Sequence, residues 1–322
     1  MSTYLQTVET VYAEAAQNPD ATLCCTESPV WNLPDLRVPP IMLQMNYGCG
    51  STVNPRDLRP DDTILYVGVG GGLEALQFAY FTRRPGGVVA VDPVTVMREK
   101  AQANFLEAAK INPWFRPDFV RVLDGNALKL PVESNSVSVA AQNCLFNVFM
   151  QADLEQALAE VIRVLCPGGF FATSDPITPV ALPEAFRADG IARARCLSGC
   201  QTFDDYITTL VNAGFGRIDV RARVPYRLVT PQEYSSLTDA VLLESVEVVA
   251  YKVPDGFDGP AINTGRMAVY GGAQESFSDE SGAVLPRGIP VSVSDAAAVR
   301  LARNPAIVVT GPTFHARAGG CC

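Results

Sequence analysis

From residue 63 to residue 174, short apolar runs alternate with longer segments in which apolar residues recur at helical spacing. The short runs predict strands and the amphipathic segments predict helices, because these two periodicities match the side-chain repeats of the two structures. Such alternation is typical of an α/β fold with a doubly wound parallel sheet and right-handed crossovers. The predicted strands cover residues 63–67, 87–91, 118–122, 137–143 and 169–174, and the predicted helices cover residues 73–82, 95–109 and 153–165.

Different patterns flank this alternating region. Amphipathic residues 4–18 predict a helix, and a proline-rich connection leads from residue 23 to a second helical piece at 41–46. After a predicted helix at 203–213, the chain becomes richer in Val, Gly and Pro. We therefore divide the chain into an N-terminal helical and proline-rich segment (1–46), a central α/β domain (47–215) and a smaller C-terminal domain of mixed type (216–322).

The charge balance limits the partners of the protein. Its 322 residues include 25 basic and 34 acidic side chains, which gives a net charge of −9. This charge argues against a nucleic-acid groove or an anionic membrane surface. The first residues contain neither the basic residue nor the continuous apolar run of an export signal. No apolar stretch reaches the ~18 residues of a transmembrane helix. We expect a cytoplasmic monomer that acts on a small molecule, without nucleic-acid or membrane partners.

Cysteine is frequent and histidine is rare. Nine cysteines occur, and the one histidine is His315, near the C-terminus. In a chain without a predicted export signal these thiols are expected to be reduced, which favours metal, metalloid or redox chemistry over a disulfide scaffold. A Ser-His-Asp triad or a histidine-rich zinc site is not expected.

Three motifs at strand ends indicate a nucleotide-like cofactor. Gly68, Gly70 and Gly72 follow the first strand and allow a tight turn and a close approach of the backbone to a ligand. Asp92 ends the second strand, where an acid accepts both ribose hydroxyls of an adenosine; the alternative is a turn acid before a proline. Asn126 follows the third strand and offers an amide to an adenine edge, or forms a turn.

A fourth motif, Gln142-Asn143-Cys144, ends the fourth strand at the expected reactive end of the cofactor. Taken alone, Cys144 is either a ligand or a small buried hydrophobic residue. Cys196 and Cys200 have the same two interpretations, or form a structural zinc pair.

Several of these residues belong to longer motifs, namely Cys24-Cys25, Tyr47-Gly48-Cys49-Gly50, Gln142-Asn143-Cys144-Leu145, Ser174-Asp175, Cys196-Leu197-Ser198-Gly199 and residues 267–272. In these motifs the chain resembles the arsenite S-adenosylmethionine methyltransferases, and most closely their cyanobacterial branch. The resemblance extends over nearly the whole chain and implies a Rossmann-like class I methyltransferase domain followed by a smaller C-terminal domain.

The resemblance also implies the roles of individual residues. Cys144 and Cys196 would hold As(III) together with Cys49, and one of Cys24 and Cys25, with Cys25 favoured, would serve as a further thiol. The substrate would be arsenite or its thiol conjugate, and a thiol reductant such as glutathione or thioredoxin would keep arsenic trivalent. The residues expected to bind S-adenosylmethionine are Tyr47, Gly48, Gly68, Gly70, Gly72, Asp92, Met97, Asn126, Ala127 and Asn143.

Some positions depart from the family pattern. Tyr66 stands where class I methyltransferases usually have an acid, so the partner of the methionine ammonium is not assigned by the motif. Asn126 stands where aspartate is common, Arg195 replaces a glutamate, and Cys200 replaces a small residue and is a candidate extra ligand. Two other functions stay open: methylation of a small organic acceptor, and thiol-based binding of As(III) or another metal without turnover.

Overall fold

A parallel sheet forms the centre of the molecule. The computed structural model describes residues 3–20, 23, 31–253, 260–279 and 282–313. Five parallel strands lie side by side in the order β3-β2-β1-β4-β5. They are β1 (Ile64–Val67), β2 (Val88–Asp92), β3 (Val120–Asp124), β4 (Val137–Asn143) and β5 (Leu165–Thr178). The order reverses between β1 and β4, and this switch point is where doubly wound sheets bind ligands.

The sheet continues beyond β5 with antiparallel pairing. Strand β8 pairs with β5 and with β7, and β9 adds a parallel edge to β7. A short strand, β6, pairs with the end of β5. These strands are β6 (Gln201–Thr202), β7 (Arg217–Val229), β8 (Val241–Tyr251) and β9 (Ala261–Asn263).

This pairing corrects the domain boundary drawn at residue 216. Residues 217–251 extend the central sheet and do not start a separate unit, because β8 forms a continuous antiparallel ladder with β5 from Phe170↔Tyr251 to Ile177↔Glu244. The sequence pattern changes at residue 216 because parallel crossovers give way to an antiparallel pair of strands.

Helices cover both faces of the sheet. Alternate residues of β1 point to opposite faces, with Ile64 and Tyr66 in one hydrophobic cluster and Leu65 and Val67 in the other. The helices are α1 (Thr3–Gln17), α2 (Pro40–Gln44), α3 (Leu73–Thr82), α4 (Thr95–Ile111), α5 (Gln151–Val164), α6 (Glu184–Arg187), α7 (Gly190–Ala194), α8 (Phe203–Asn212) and α9 (Asp295–Leu301), with 3-10 turns at Pro117–Phe119 and Phe146–Val148. No helix in the described ranges is long and apolar enough to cross a membrane.

A small unit with its own core follows the sheet. A three-stranded antiparallel sheet and a hairpin pack with α9 around Tyr270, Leu285 and Leu301. Its strands are β10 (Met267–Tyr270), β11 (Ser276–Ser278), β12 (Val284–Pro286), β13 (Val291–Ser292) and β14 (Ile307–Val309).

Candidate functional site

A deep cleft opens at the carboxyl ends of β1, β2 and β4. It contains about 1100 Å³ of space not filled by atoms, a volume that includes the open solvent at its mouth. Helix α1 closes one side with Val8 and Tyr12, and Val148 and Phe149 contribute an apolar wall. Most residues predicted to bind the cofactor line this cleft, namely Tyr47, Gly48, Gly68, Gly70, Asp92, Met97, Asn126, Ala127 and Asn143.

The glycine loop forms the floor of the cleft. Gly68 and Gly70 adopt left-handed φ values of 83° and 50°, which residues with a Cβ rarely tolerate. Gly72 differs from the prediction, since it is not among the residues that line the cleft. It precedes α3, and a Cβ at Gly72 would lie 2.8 Å from the Phe105 ring, so its role is the packing of α3 against α4.

Asp92 ends β2 beside this loop and is buried. Its Oδ2 accepts a hydrogen bond from the Val69 amide, and its Oδ1 accepts one from the Val94 amide, both at 2.9 Å. Burial raises the pKa of Asp92 to about 6, although these amides lower it. The turn interpretation and the ligand interpretation of Asp92 are therefore compatible, because the same carboxylate forms the turn and faces the cleft.

Asn126 and Asn143 are both engaged in local hydrogen bonds. Asn126 Oδ1 accepts a hydrogen bond from the Leu128 amide at 3.0 Å. Asn126 therefore forms a turn, which was one of its two predicted roles. Asn143 Oδ1 accepts from the Cys49 amide at 3.0 Å, and its Nδ2 donates to the Gly50 carbonyl oxygen at 2.8 Å. A Cβ at Gly48 would lie 2.5 Å from Asn143 Nδ2, so only glycine permits this approach.

Tyr47 lines the cleft and also ties α1 to it. Its hydroxyl donates to the Ala15 carbonyl oxygen at 3.0 Å. Burial raises the pKa of Tyr47 to about 12, so the phenol stays neutral. Tyr12 of α1 also lines the cleft. The sequence did not identify it as a site residue, because a tyrosine on an amphipathic helix is equally typical of a core residue.

Cys144 and Cys196 are brought together next to the cleft. The Cys196 thiol donates to the Cys144 carbonyl oxygen with 2.6 Å between Sγ and O, and the Tyr12 hydroxyl lies 3.9 Å from the same sulfur. Both cysteines are buried and adopt left-handed φ values, 60° for Cys144 and 56° for Cys196. Such a conformation is strained for a non-glycine residue and is concentrated at functional sites.

Cys49 is also buried, with its Sγ 3.5 Å from the Ser174 hydroxyl oxygen. The Ser174 carbonyl oxygen in turn accepts from the Cys144 amide at 2.7 Å. Asn143 and Ser174 therefore hold Cys49 against the ends of β4 and β5.

Cys200 lies behind Cys196. Its Sγ donates to the Cys196 carbonyl oxygen at 3.3 Å and accepts from Asn147 Nδ2 at 3.7 Å. Burial raises the pKa of the Cys200 thiol, and negative charge on Cys196 and on Cys49 raises it further. Cys200 therefore contacts Cys196 in a buried position where its own ionisation is unfavourable.

A buried acid adjoins the thiols. Asp175 Oδ2 accepts hydrogen bonds from Tyr206 and Thr173, each at 2.9 Å, and from Gln142. Gln142 Oε1 also accepts from the Leu145 amide at 2.7 Å, so this network fixes the turn that carries Cys144. Burial raises the pKa of Asp175 to about 7, although these bonds lower it. Sequence reasoning placed Asp175 in a motif without giving it a role.

In the described part of the chain, no three His, Cys, Asp or Glu side chains converge into a preformed metal site. Contacts through Ser174 and the Cys144 backbone connect Cys49, Cys144 and Cys196, but the three thiols do not form a closed ligand set. Cys24 and Cys25, one of which was predicted to supply a further thiol, lie outside the described residues.

Comparisons with known proteins agree with this arrangement. A methyltransferase domain model matches residues 65–173, which contain the glycine loop, Asp92 and Cys144. The chain is 29% identical to the arsenite methyltransferase of Halobacterium salinarum over 55% of its own length and 43% of that protein. It is 27% identical to the arsenite methyltransferase of Aquipseudomonas alcaligenes over 83% of its own length and 78% of that protein.

The fold has a solved counterpart. A crystal structure of an arsenic(III) S-adenosylmethionine methyltransferase from Chlamydomonas reinhardtii superposes with a TM-score of 0.63 over 87% of this chain and 97% of that chain, at 22% identity. The chain is therefore similar to arsenite methyltransferases, and it shares their methyltransferase domain. Its architecture is the Rossmann-like class I methyltransferase fold with additional C-terminal sheets.

The chain covers different shares of the arsenite methyltransferases to which it is similar. The chain spans less than half of the Halobacterium protein and about three quarters of the Aquipseudomonas protein. The residues 65–173 matched by the domain model contain Cys144, whereas Cys49 and Cys196 lie outside that range.

Proposed function

We propose that this protein transfers methyl groups from S-adenosylmethionine to thiol-bound trivalent arsenic, producing mono- and dimethylated arsenic in arsenic detoxification. One observation carries the proposal. Cys144 and Cys196, both buried and both in left-handed backbone conformations, meet at the edge of a cleft that has the features of an adenosine site. An organic acceptor gives no reason for two strained cysteines at this position.

The cleft residues fit the cofactor. The Gly68 and Gly70 turns leave the loop without side chains, and the buried Asp92 carboxylate stands at the β2 end where ribose hydroxyls need an acceptor. When bound, S-adenosylmethionine supplies an electrophilic methyl group on a sulfonium. The apolar wall of Val148 and Phe149 excludes water from the region where that charge is lost.

The thiols fit the acceptor. Soft thiolates select a soft centre such as As(III), and a thiol is deprotonated once such a centre binds it. Arsenic held by thiolates keeps a lone pair on the face opposite the sulfurs, so no general base is needed. The task of Cys144 and Cys196 is then to orient that lone pair toward the cleft, at ~3–3.5 Å from the reacting carbon.

Methyl transfer removes two electrons from arsenic, so the thiols need a second role. Two thiolates that form a disulfide return these electrons and restore As(III). Cys49 and Cys25 are the candidates for this redox step, and glutathione or thioredoxin is the candidate reductant that regenerates the thiols. The cytoplasmic location, the monomeric state and the absence of nucleic-acid partners stay predictions from the sequence.

Turnover of the pure protein tests the proposal. Protein is incubated with methyl-labelled S-adenosylmethionine, arsenite and excess glutathione, and arsenic species are separated and counted. Label in methylated arsenic is expected. Binding of arsenite without formation of S-adenosylhomocysteine would instead show a thiol-based metalloid buffer, and label in an added organic acceptor alone would show an ordinary small-molecule methyltransferase.

A further inference from the structure

The wall of the cleft contains a carboxylate that belongs to none of the sequence motifs. Glu74, in the first turn of α3, is 4% exposed and lines the cleft together with Tyr66. The Tyr66 hydroxyl donates to Glu74 Oε2 at 2.9 Å. The residue that replaces the usual acid of this fold therefore points its donor at another acid, eight positions further along the chain.

Glu74 has one acceptor position left. Its Oε1 accepts from the Thr52 amide at 2.8 Å, and its Oε2 accepts from the Thr52 hydroxyl at 2.8 Å and from Tyr66. An ionised carboxylate offers about four acceptor positions, so about one stays available. Glu74 also lies in the first turn of α3, and the partial positive charge at a helix N-terminus makes this a favourable position for an acidic side chain.

Among the residues that the structure describes, no Lys or Arg forms a salt bridge with the buried carboxylate of Glu74. Burying a carboxylate without a counter-ion is costly, and a cationic ligand group removes that cost. Burial and Glu74 both raise the pKa of Tyr66 well above its usual value, so its phenol stays neutral and donates a hydrogen bond without supplying a counter-charge.

We infer that Glu74 binds the α-ammonium group of the methionine part of the cofactor, with Tyr66 and Thr52 holding its carboxylate in place. The inference rests on the proposed function, because it concerns the same cofactor. It moves the anionic partner from the end of β1 to the start of α3. It also links cofactor binding to the segment that carries Cys49, since Thr52 lies three residues beyond that cysteine.

Binding of product analogues to pure protein tests the inference without turnover. Three probes are titrated calorimetrically: S-adenosylhomocysteine, its analogue with a hydroxyl in place of the ammonium, and 5′-methylthioadenosine, which lacks the amino-acid end. Glu74→Gln should weaken S-adenosylhomocysteine roughly tenfold to a hundredfold and leave 5′-methylthioadenosine unchanged. The variant should also bind the hydroxyl analogue as the wild type does. Tyr66→Phe, which leaves the Glu74 carboxylate in place, should reduce the affinity for S-adenosylhomocysteine less than Glu74→Gln does.

The outcomes separate the inference from the proposed function. Equal loss of all three probes in Glu74→Gln would overturn the inference and assign Glu74 to the shape of the cleft, and unchanged binding of all three would also overturn it. If Glu74→Gln fails to fold, the wild type still decides, because equal affinity for S-adenosylhomocysteine and its hydroxyl analogue contradicts an ammonium site. Wild-type protein that binds none of the probes would refute the cofactor itself.

Discussion

The Cys196 thiol donates a hydrogen bond to the carbonyl oxygen of Cys144, across 52 positions of sequence and 2.6 Å of space. This contact joins the turn after β4 to the segment after α7, and both cysteines adopt left-handed backbone conformations there. The contact brings the Cys196 sulfur against the turn that carries Cys144, which lines the cleft. The first prediction concerns these two cysteines.

Cys144→Ser and Cys196→Ser should each abolish arsenic methylation while leaving affinity for S-adenosylhomocysteine close to that of the wild type. A hydroxyl is a hard, poorly ionised ligand that does not hold As(III). The measurements are arsenic speciation and calorimetric titration. Cys166→Ser is the matched control, because Cys166 lies at the start of β5 and its thiol donates a hydrogen bond to the Asn135 carbonyl oxygen. This variant should stay active. Near-normal methylation by either test variant would refute the site.

Asp92→Asn should weaken S-adenosylhomocysteine binding by about 1.5–3 kcal/mol, or roughly tenfold to a hundredfold, because the ribose hydroxyls lose a charged acceptor. Asp118→Asn is the control, since Asp118 is exposed and pairs with Arg116. The wild type should also lose affinity as the pH falls through about 6, where Asp92 takes up a proton. An identical pH profile in Asp92→Asn would contradict this role.

Cys49→Ser should lose activity on arsenite but retain some activity on monomethyl arsenic(III). Each added methyl group replaces one arsenic–sulfur bond, so the monomethyl substrate needs one thiolate fewer. The test assays both substrates with the same variant under excess thiol. An equal loss of activity on both substrates would contradict this prediction. It would show that Cys49 is needed at every methylation step, as Cys144 and Cys196 are, which its buried contact to Ser174 would explain.

Asp175 should make stability depend on pH. Its folded pKa of about 7 lies above the ordinary value of 3.8, so the folded state binds more protons between these two values. The free energy of unfolding therefore falls as the pH rises through this window. Denaturant unfolding of Asp175→Asn at several pH values should show a variant that gains stability relative to the wild type as the pH rises. Parallel curves for the two proteins would contradict the assignment.

The sequence predicted the parallel half of the sheet better than its continuation. Strand β4 and helix α3 match their predicted bounds, because an apolar run marks β4 and the preceding glycines mark the start of α3 in the local sequence. The pairing of β5 with β8 was missed, because antiparallel pairing between segments about 75 positions apart leaves no local signal.

The site was predicted to a similar extent. The glycine loop and Asp92 follow from strand ends, and the cysteine set came from a resemblance between motifs. Glu74 and the Asp175 network were missed, because their partners Thr52, Tyr66 and Tyr206 are brought to them only by the fold. An acid in the first turn after the glycine loop was visible in the sequence, and it was the one signal that could have indicated Glu74.

A single-turnover experiment tests the central claim most directly. Reduced protein is loaded with one equivalent of arsenite, freed of external thiol and mixed with excess S-adenosylmethionine; methylated arsenic, S-adenosylhomocysteine and free protein thiols are then counted. The account predicts one S-adenosylhomocysteine for each methyl group found on arsenic, and a loss of two protein thiols per methyl group through disulfide formation. S-adenosylhomocysteine without methylated arsenic, or no product while arsenic stays bound, would contradict it.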